Sequence, residues 1–301
     1  MSAIDVRLVS SLAAAALLAG LLGAGHARGA ARAPAQAPGP AATDGTTQRT
    51  LRFAGAGPHA IDVRTIHGFI HVSASTDDAV HVEAQRQTSF DTEAGRQAAA
   101  AVTLDFVDNA PTIQMIVREP RGIVCGERNH FRGPWRPRYE VTFDLTIRVP
   151  PGTRLRLCTI NDGDIRVQGT SGDFQIDNVN GAITVEALRG SGSAETVNGP
   201  VSASFLQAPG TASLFKTVNG DVDVTFPPTL SAELRLKTFN GGLFTDFDVD
   251  PLPPAPPTRT RRNGMFVYRS GEFTRARVGD GGPQITLDTF NGDVRVRRAA
   301  R

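Results

Sequence analysis

A four-residue phrase recurs along this chain: threonine, an apolar residue, asparagine, glycine. It reads Thr65-Ile66-His67-Gly68, Thr159-Ile160-Asn161-Asp162-Gly163, Asn178-Val179-Asn180-Gly181, Thr196-Val197-Asn198-Gly199, Thr217-Val218-Asn219-Gly220, Thr238-Phe239-Asn240-Gly241 and Thr289-Phe290-Asn291-Gly292. From Gly163 the glycines step by 18, 18, 21 and 21 residues, then by 51 to Gly292. A period of this size marks a repeat architecture, in which each copy buries its apolar face only against its neighbours. The long last step holds an insert, 248–271, built around Pro251-Leu252-Pro253-Pro254-Ala255-Pro256-Pro257.

Each phrase is flanked by alternation. Upstream stand Ile61/Val63, Leu155/Leu157, Phe174/Ile176, Leu234/Leu236 and Ile285/Leu287; downstream stand Ile70/Val72, Ile165/Val167, Ile183/Val185, Val222/Val224 and Val294/Val296. Period two means half-buried strands. Between the apolar positions, just before each phrase, runs a column of Arg64, Cys158, Asp177, Glu195, Lys216, Lys237 and Asp288.

Asn-Gly between strands is the usual signal of a two-residue hairpin. Register argues otherwise. In a hairpin Phe239 would share a face with Lys237, away from Leu236 and Leu243, and every copy would leave one apolar residue on the charged side. A corner avoids this if the asparagine takes the left-handed region and the apolar residue before it turns inward. The expected corners are Asn161, Asn180-Gly181, Asn198-Gly199, Asn219-Gly220, Asn240-Gly241 and Asn291-Gly292. Stacking them gives an Asn ladder beside an aliphatic ladder. The expected fold is all-β: a single-stranded parallel β-helix or β-solenoid with an irregular N-terminal β section and one short helix. The alternative is a hairpin-based β-sandwich.

The recurring unit resembles the bacterial β-strand-repeat "putative adhesin" family, a domain of unknown function related to auto-transporter adhesin head domains. The resemblance spans about residues 50–298 and includes Ile147-Arg148-Val149-Pro150 ahead of the first regular copy. It implies a parallel β-helix on an exported protein and supplies no catalytic residues. The chain departs from that pattern by its Pro-rich insert and by an Arg/aromatic loop.

The sequence divides into four stretches. Residues 1–27 read as a secretory signal: Arg7, an apolar run from Leu8 to Gly25, and small residues at Gly25-His26-Ala27. Residues 28–48, rich in Ala, Pro, Gly and Thr, read as a disordered linker. An irregular β section, 49–150, precedes the repeats, 151–298. In it, strands are expected near Leu51–Phe53, Ala60–Arg64, Gly68–Ser73, Ala79–Arg86, Val102–Val107, Thr112–Val117 and Tyr139–Val149, with a helix over Thr92–Ala101 covering an end or side. No second apolar run is long enough to span a membrane.

Cys125 and Cys158 are the only cysteines. Cys158 stands where the other copies place a charge, a poor position for a free thiol in an oxidising compartment. A Cys125–Cys158 disulfide accounts for it; two unpaired thiols are the alternative.

The Arg118–Tyr139 loop carries Arg128, Arg132, Trp135, Arg136, Arg138 and Tyr139, a composition suited to sugars, phosphates or a protein. It is the candidate binding loop, with a solvated loop as the plain reading. Among the histidines, His71 and His81 occupy outward positions that stacking could make neighbours, and His67 and His130 complete the set weighed as ligands. No cysteine or carboxylate cluster at ligand spacing accompanies them, so no metal and no cofactor is expected. Asp164, Asp221 and Asp293 follow corner glycines, and turn chemistry explains them better than calcium ladders.

No catalytic signature is present, and the outward column after the corner (His71, Arg166, Thr184, Ser202, Asp223, Phe244, Arg295) shows no acid cluster of the kind polysaccharide-cleaving β-helices need. A near-balanced formal charge of +2 argues against a nucleic-acid binder. The expectation is an exported, non-enzymatic scaffold, periplasmic or at the cell surface. It would act as an adhesin or surface-presenting protein whose partner is an envelope or extracellular protein or glycan. A periplasmic protein-binding or envelope-stress scaffold and a polysaccharide-processing enzyme are the alternatives.

Overall fold

The structure is a computed structural model that describes residues 42–55, 57–109, 111–126, 139–255, 258–262, 265–269 and 273–300. The opening section holds β1 (Ala42–Arg52), β2 (Ala60–Arg64), β3 (Ile70–Ala74), β4 (Ala79–Phe90), α1 (Glu93–Ala100), β5 (Thr103–Asn109), β6 (Thr112–Arg118) and β7 (Tyr139–Val149). The repeats follow as strand pairs: β8 (Arg154–Cys158) and β9 (Ile165–Gln168), β10 (Phe174–Asp177) and β11 (Ile183–Leu188), β12 (Gly192–Glu195) and β13 (Val201–Phe205). After them come β14 (Ser213–Lys216) and β15 (Val222–Phe226), then β16 (Ala232–Lys237) and β17 (Leu243–Thr245). The insert contributes β18 (Asp250–Leu252), the hairpin of β19 (Thr258–Arg262) and β20 (Met265–Arg269), and the stretch leading to β21 (Thr274–Val278). The last corner joins β22 (Gln284–Asp288) to β23 (Val294–Arg298).

Two large mixed sheets result. Sheet I runs β1-β4-β7-β3-β9-β11-β13-β15-β23-β17, and sheet II runs β18-β21-β16-β22-β14-β12-β10-β8-β2-β6-β5. The strand before each corner lies in sheet II and the strand after it in sheet I. No Asn-Gly corner among the described residues closes a hairpin, although the two-layered arrangement of the sandwich alternative is present. Neighbouring copies pair parallel and in register, as in Ile176↔Ala194 and Ile183↔Val201. Inward columns such as Ile165, Ile183, Val201, Val222 and Val294 are wholly buried, and the apolar residues of both sheets form one core. Alternation therefore does here what it does in any half-buried strand: one column fills the interior and the next faces out.

The corners differ from expectation in two ways. At four of these corners the glycine, not the asparagine, carries positive φ: +155° at Gly181, +152° at Gly199, +154° at Gly220 and +148° at Gly292. Asp162 (φ 52°), the extra residue of its corner, is the exception. Second, the threonine faces in, while the apolar residue is exposed at Val197, Phe239 and Phe290, half-buried at Ile160, Val179 and Val218, and buried at Ile66. Thr159, Thr196, Thr217 and Thr289 are buried, whereas Phe239 is 68% exposed. The reason is a polar one. Each inward hydroxyl donates to the corner-glycine carbonyl of the neighbouring copy, as in Thr217 Oγ1 to Gly199 O at 2.7 Å and Thr289 Oγ1 to Gly220 O at 2.8 Å. An apolar side chain there would leave that carbonyl buried and unsatisfied.

The order of the copies is also not the order of the sequence. The final pair, β22 and β23, lies between β14/β15 and β16/β17. The insert makes this possible: β21 returns antiparallel along the far side of β16, and the chain then re-enters on the near side. At the other end β2 and β3 lie between β6/β7 and β8/β9. Antiparallel strands cover that end, β4 then β1 on sheet I and β5 on sheet II.

The linker expected through residue 48 is shorter, because β1 begins at Ala42 and pairs with β4 along its length. The helix lies where expected, with Thr92 as N-cap accepting from Gly95 N, and Ala99 buried in the core. It packs beside β4 and β7. No helix among the described residues is long and apolar enough to cross a membrane.

Candidate interaction surface

Stacked corners build a side-chain ladder. Asn180 Nδ2 donates to Asn161 Oδ1 at 2.9 Å, Asn198 to Asn180 at 2.8 Å and Asn219 to Asn198 at 2.8 Å. It continues through Asn291 to Asn219 at 2.7 Å and ends with Asn240 donating to Asn291 at 2.7 Å. The expected Asn ladder is thus present, in spatial rather than sequence order. Beside it, the aspartates after the corner bridge copies too: Asp164, Asp221 and Asp293 accept from the backbone N–H of Ala182, Asp293 and Gly242. These are inter-copy bonds, more than local turn chemistry.

The apolar residue of each corner forms a stripe that opens toward one end. Ile66 is buried, Ile160 and Val179 are half-buried, and Phe290 and Phe239 are exposed. Their two rings stack at 4.8 Å, nearly parallel. Next to them, β17 is the last strand of sheet I, with Leu243 and Phe244 exposed and Arg295 over the Phe244 ring at 5.7 Å. The matching end of sheet II is covered by β21. An uncovered strand beside an aromatic cluster is where sheet proteins accept another chain. The sequence hid this because Phe239 and Phe290 look like core residues.

On the outer face of sheet II the pre-corner column lines up as Arg64, Cys158, Asp177, Glu195, Lys216, Asp288 and Lys237. Cys158 is bonded to Cys125, as expected, and both are buried. The bridge ties the segment after β6 to β8. Beside it, burial pushes the Asp177 carboxyl above its usual range, against a hydrogen bond from Gln175 Nε2. Burial also raises Glu195, and the Asp177 charge adds to it.

Both groups therefore hold their proton more tightly in the fold than in the unfolded chain. Their contribution is fully present below the ordinary carboxylate pKa and is lost as pH rises through the raised value. Asp177→Asn is expected to raise the thermal midpoint at pH 7 by roughly 2–4 °C, with the gain vanishing near pH ~4. Calorimetry across pH checks it; an equal shift at both pH values would show that the carboxylate's charge is not the cause.

Of the candidate binding loop, Arg128, Arg132, Trp135, Arg136 and Arg138 lie outside the described residues. Tyr139 opens β7 half-buried; its hydroxyl donates to Glu119 Oε1 at 3.1 Å, and Arg121 sits over its ring. The expected neighbours His71 and His81 are not neighbours, because β7 separates β3 from β4. His71 lies in register with Arg166 and stacks on Phe69, while His81 meets Asp77 at 2.8 Å. The post-corner column forms as expected except at its end, where Arg295 stands between Asp223 and Phe244.

No family model matches the chain, and no curated protein matches it. Solved structures similar to it include a putative cell adhesion protein from Clostridium sporogenes ATCC 15579 (7% identity, 85% of this chain and 99% of that one, TM-score 0.43). A putative adhesin from Bacteroides fragilis NCTC 9343 aligns at 12% identity over 85% and 98% of the two chains, with a TM-score of 0.37. A putative lipid binding protein from Parabacteroides distasonis ATCC 8503 aligns at 8% identity over 85% and 98%, with a TM-score of 0.23.

Proposed function

We propose that the chain is an exported, non-enzymatic β-solenoid scaffold that presents a contact surface in the bacterial envelope, as an adhesin or surface-presenting protein. The observation that carries this reading is the unbroken Asn ladder from Asn161 to Asn240, which ends in the exposed Phe239/Phe290 stack. Repeated inter-copy bonds make a stiff support, and at the aromatic end β17 pairs with β23 on one side and with no other strand among the described residues. The Cys125–Cys158 bridge supports an oxidising compartment. A second reading, a periplasmic scaffold for another protein, is favoured by the same uncovered strand, since strand addition is a common mode of peptide capture.

Protease or antibody labelling of intact cells tests the two. Labelling of the chain on whole cells supports surface presentation, and labelling only after the outer layer is opened supports the periplasmic scaffold. On either reading, Phe239→Ser combined with Phe244→Ser is expected to abolish crosslinking to envelope partners while leaving the thermal midpoint within about 2 °C. Glycan cleavage that is lost in Asp177→Asn or Glu195→Gln would overturn both readings in favour of an enzyme.

A further inference from the structure

Two departures from the repeat fall at one place. The corner after β2 carries His67 where the others carry asparagine, and the corner after β8 holds one extra residue, Asp162. Parallel stacking sets His67 against Asn161, and the start of β7 adds Glu140 from the other side. A ring nitrogen of His67 and a carboxylate oxygen from each of Glu140 and Asp162 all lie within 4.8 Å of one another. The Nδ1 atom is 3.8 Å from Asp162 Oδ2.

A second observation concerns polar atoms without partners. His67 Nδ1 is buried and has no hydrogen-bond partner among the described residues. It lines a small pocket together with Glu119, Arg121, Tyr139 and Glu140. In that pocket the Glu119 side chain is 4% exposed, and its Oε2 is likewise buried without a partner. Native interiors rarely leave such atoms unmet. With the ring proton on Nε2, both are unmet acceptors on residues that line one pocket.

We infer that His67, Glu140 and Asp162 bind one divalent transition ion of the zinc class. One imidazole nitrogen with carboxylate oxygens is a zinc donor set, whereas calcium takes six to eight oxygens. Zinc bonds of about 2.0–2.2 Å place ligand atoms about 3.3–3.5 Å apart. The Glu140 and Asp162 side chains are exposed and free to rotate over the remaining distance. The ion would tie β7 and two successive corners together at the irregular end of the repeats.

Metal analysis of the purified, untagged full chain after dialysis against zinc, with thermal midpoints measured in parallel, tests the site. The expected result is one zinc per chain and a higher midpoint with zinc than without. His67→Asn installs the residue the other corners carry; it is expected to keep the fold and weaken zinc uptake at least about tenfold, as is Asp162→Asn. His81→Ala, at the separate Asp77 pair, should change neither readout. Absence of stoichiometric zinc, full uptake by His67→Asn, or loss of uptake in His81→Ala would each overturn the assignment. Calcium raising the midpoint as much as zinc at the same concentration would overturn the ligand class.

Discussion

A chain ending after Pro283 is expected to lose cooperative folding altogether, rather than shed one end copy. In a stack built in sequence order, the last pair of strands would be terminal and its removal mild. Here β22 is bonded to β14 on one side and β16 on the other, and β23 to β15 and β17. The pair also brings Arg295 Nη1 to Asp221 Oδ2 at 2.6 Å and Arg297 Nε to Asp223 at 2.8 Å. Its inward residues Ile285, Leu287, Val294 and Val296 are 0–1% exposed. At about 1.5–3 kcal/mol each, these four side chains account for about 6–12 kcal/mol, against a total stability of about 5–15 kcal/mol for a domain. Circular dichroism melts and limited proteolysis of the truncated chain check this. A sharp melt within a few degrees of the full chain would mean that β16 and β17 close directly onto β14 and β15.

Gly220→Val is expected to cost on the order of 4 kcal/mol, among the largest effects a single change can have. Gly220 lies at φ +154°, and a Cβ there would stand 2.3 Å from Gly199 O and 2.6 Å from its carbonyl carbon. Both obstacles are backbone, so the copies must separate for the side chain to fit. The same approach recurs at Gly199 and Gly292, which is why the corner tolerates nothing larger. Asn219→Val removes one rung and breaks its bonds to Asn198 and Asn291, at about 1–3 kcal/mol. Lys216→Ala, on the outer face, should stay within about 0.5 kcal/mol. Denaturant melts of the three variants rank them, and equal tolerance at all three positions would remove the basis for the corner assignment.

Much of the fold was legible because the repeat is literal. Period-two alternation located the strands, and a charge column with one cysteine in it identified the Cys125–Cys158 bridge. Register arithmetic rejected a hairpin at Phe239. The premise of that argument, that the phenylalanine must turn inward, failed although no hairpin forms: apolar character was weighed and the unmet glycine carbonyl was not, and that carbonyl draws the threonine in. The order of copies was invisible in the 51-residue step, since spacing along a chain does not report direction of travel. A faint signal existed: Asp221 and Asp223 in one copy and Arg295 and Arg297 in the last are complementary at matching positions. The cluster at His67 was out of reach for another reason. Its ligands come from three separate segments, and His67 and the extra Asp162 marked the place without revealing Glu140.

The Asn ladder has a polarity that its repeated residues disguise. In each of its five bonds the Nδ2 points toward the His67 end and the Oδ1 toward the Phe239 end. The two ends are therefore chemically unlike, in the manner of a filament with a plus and a minus end. At the Phe239 end, Asn240 Oδ1 meets no donor among the described residues, so that end is left with an acceptor. An incoming chain of either backbone sense can meet that acceptor by turning a side-chain donor toward it, so the Phe239 end offers a hydrogen bond where the ladder's inner rungs have none left to give.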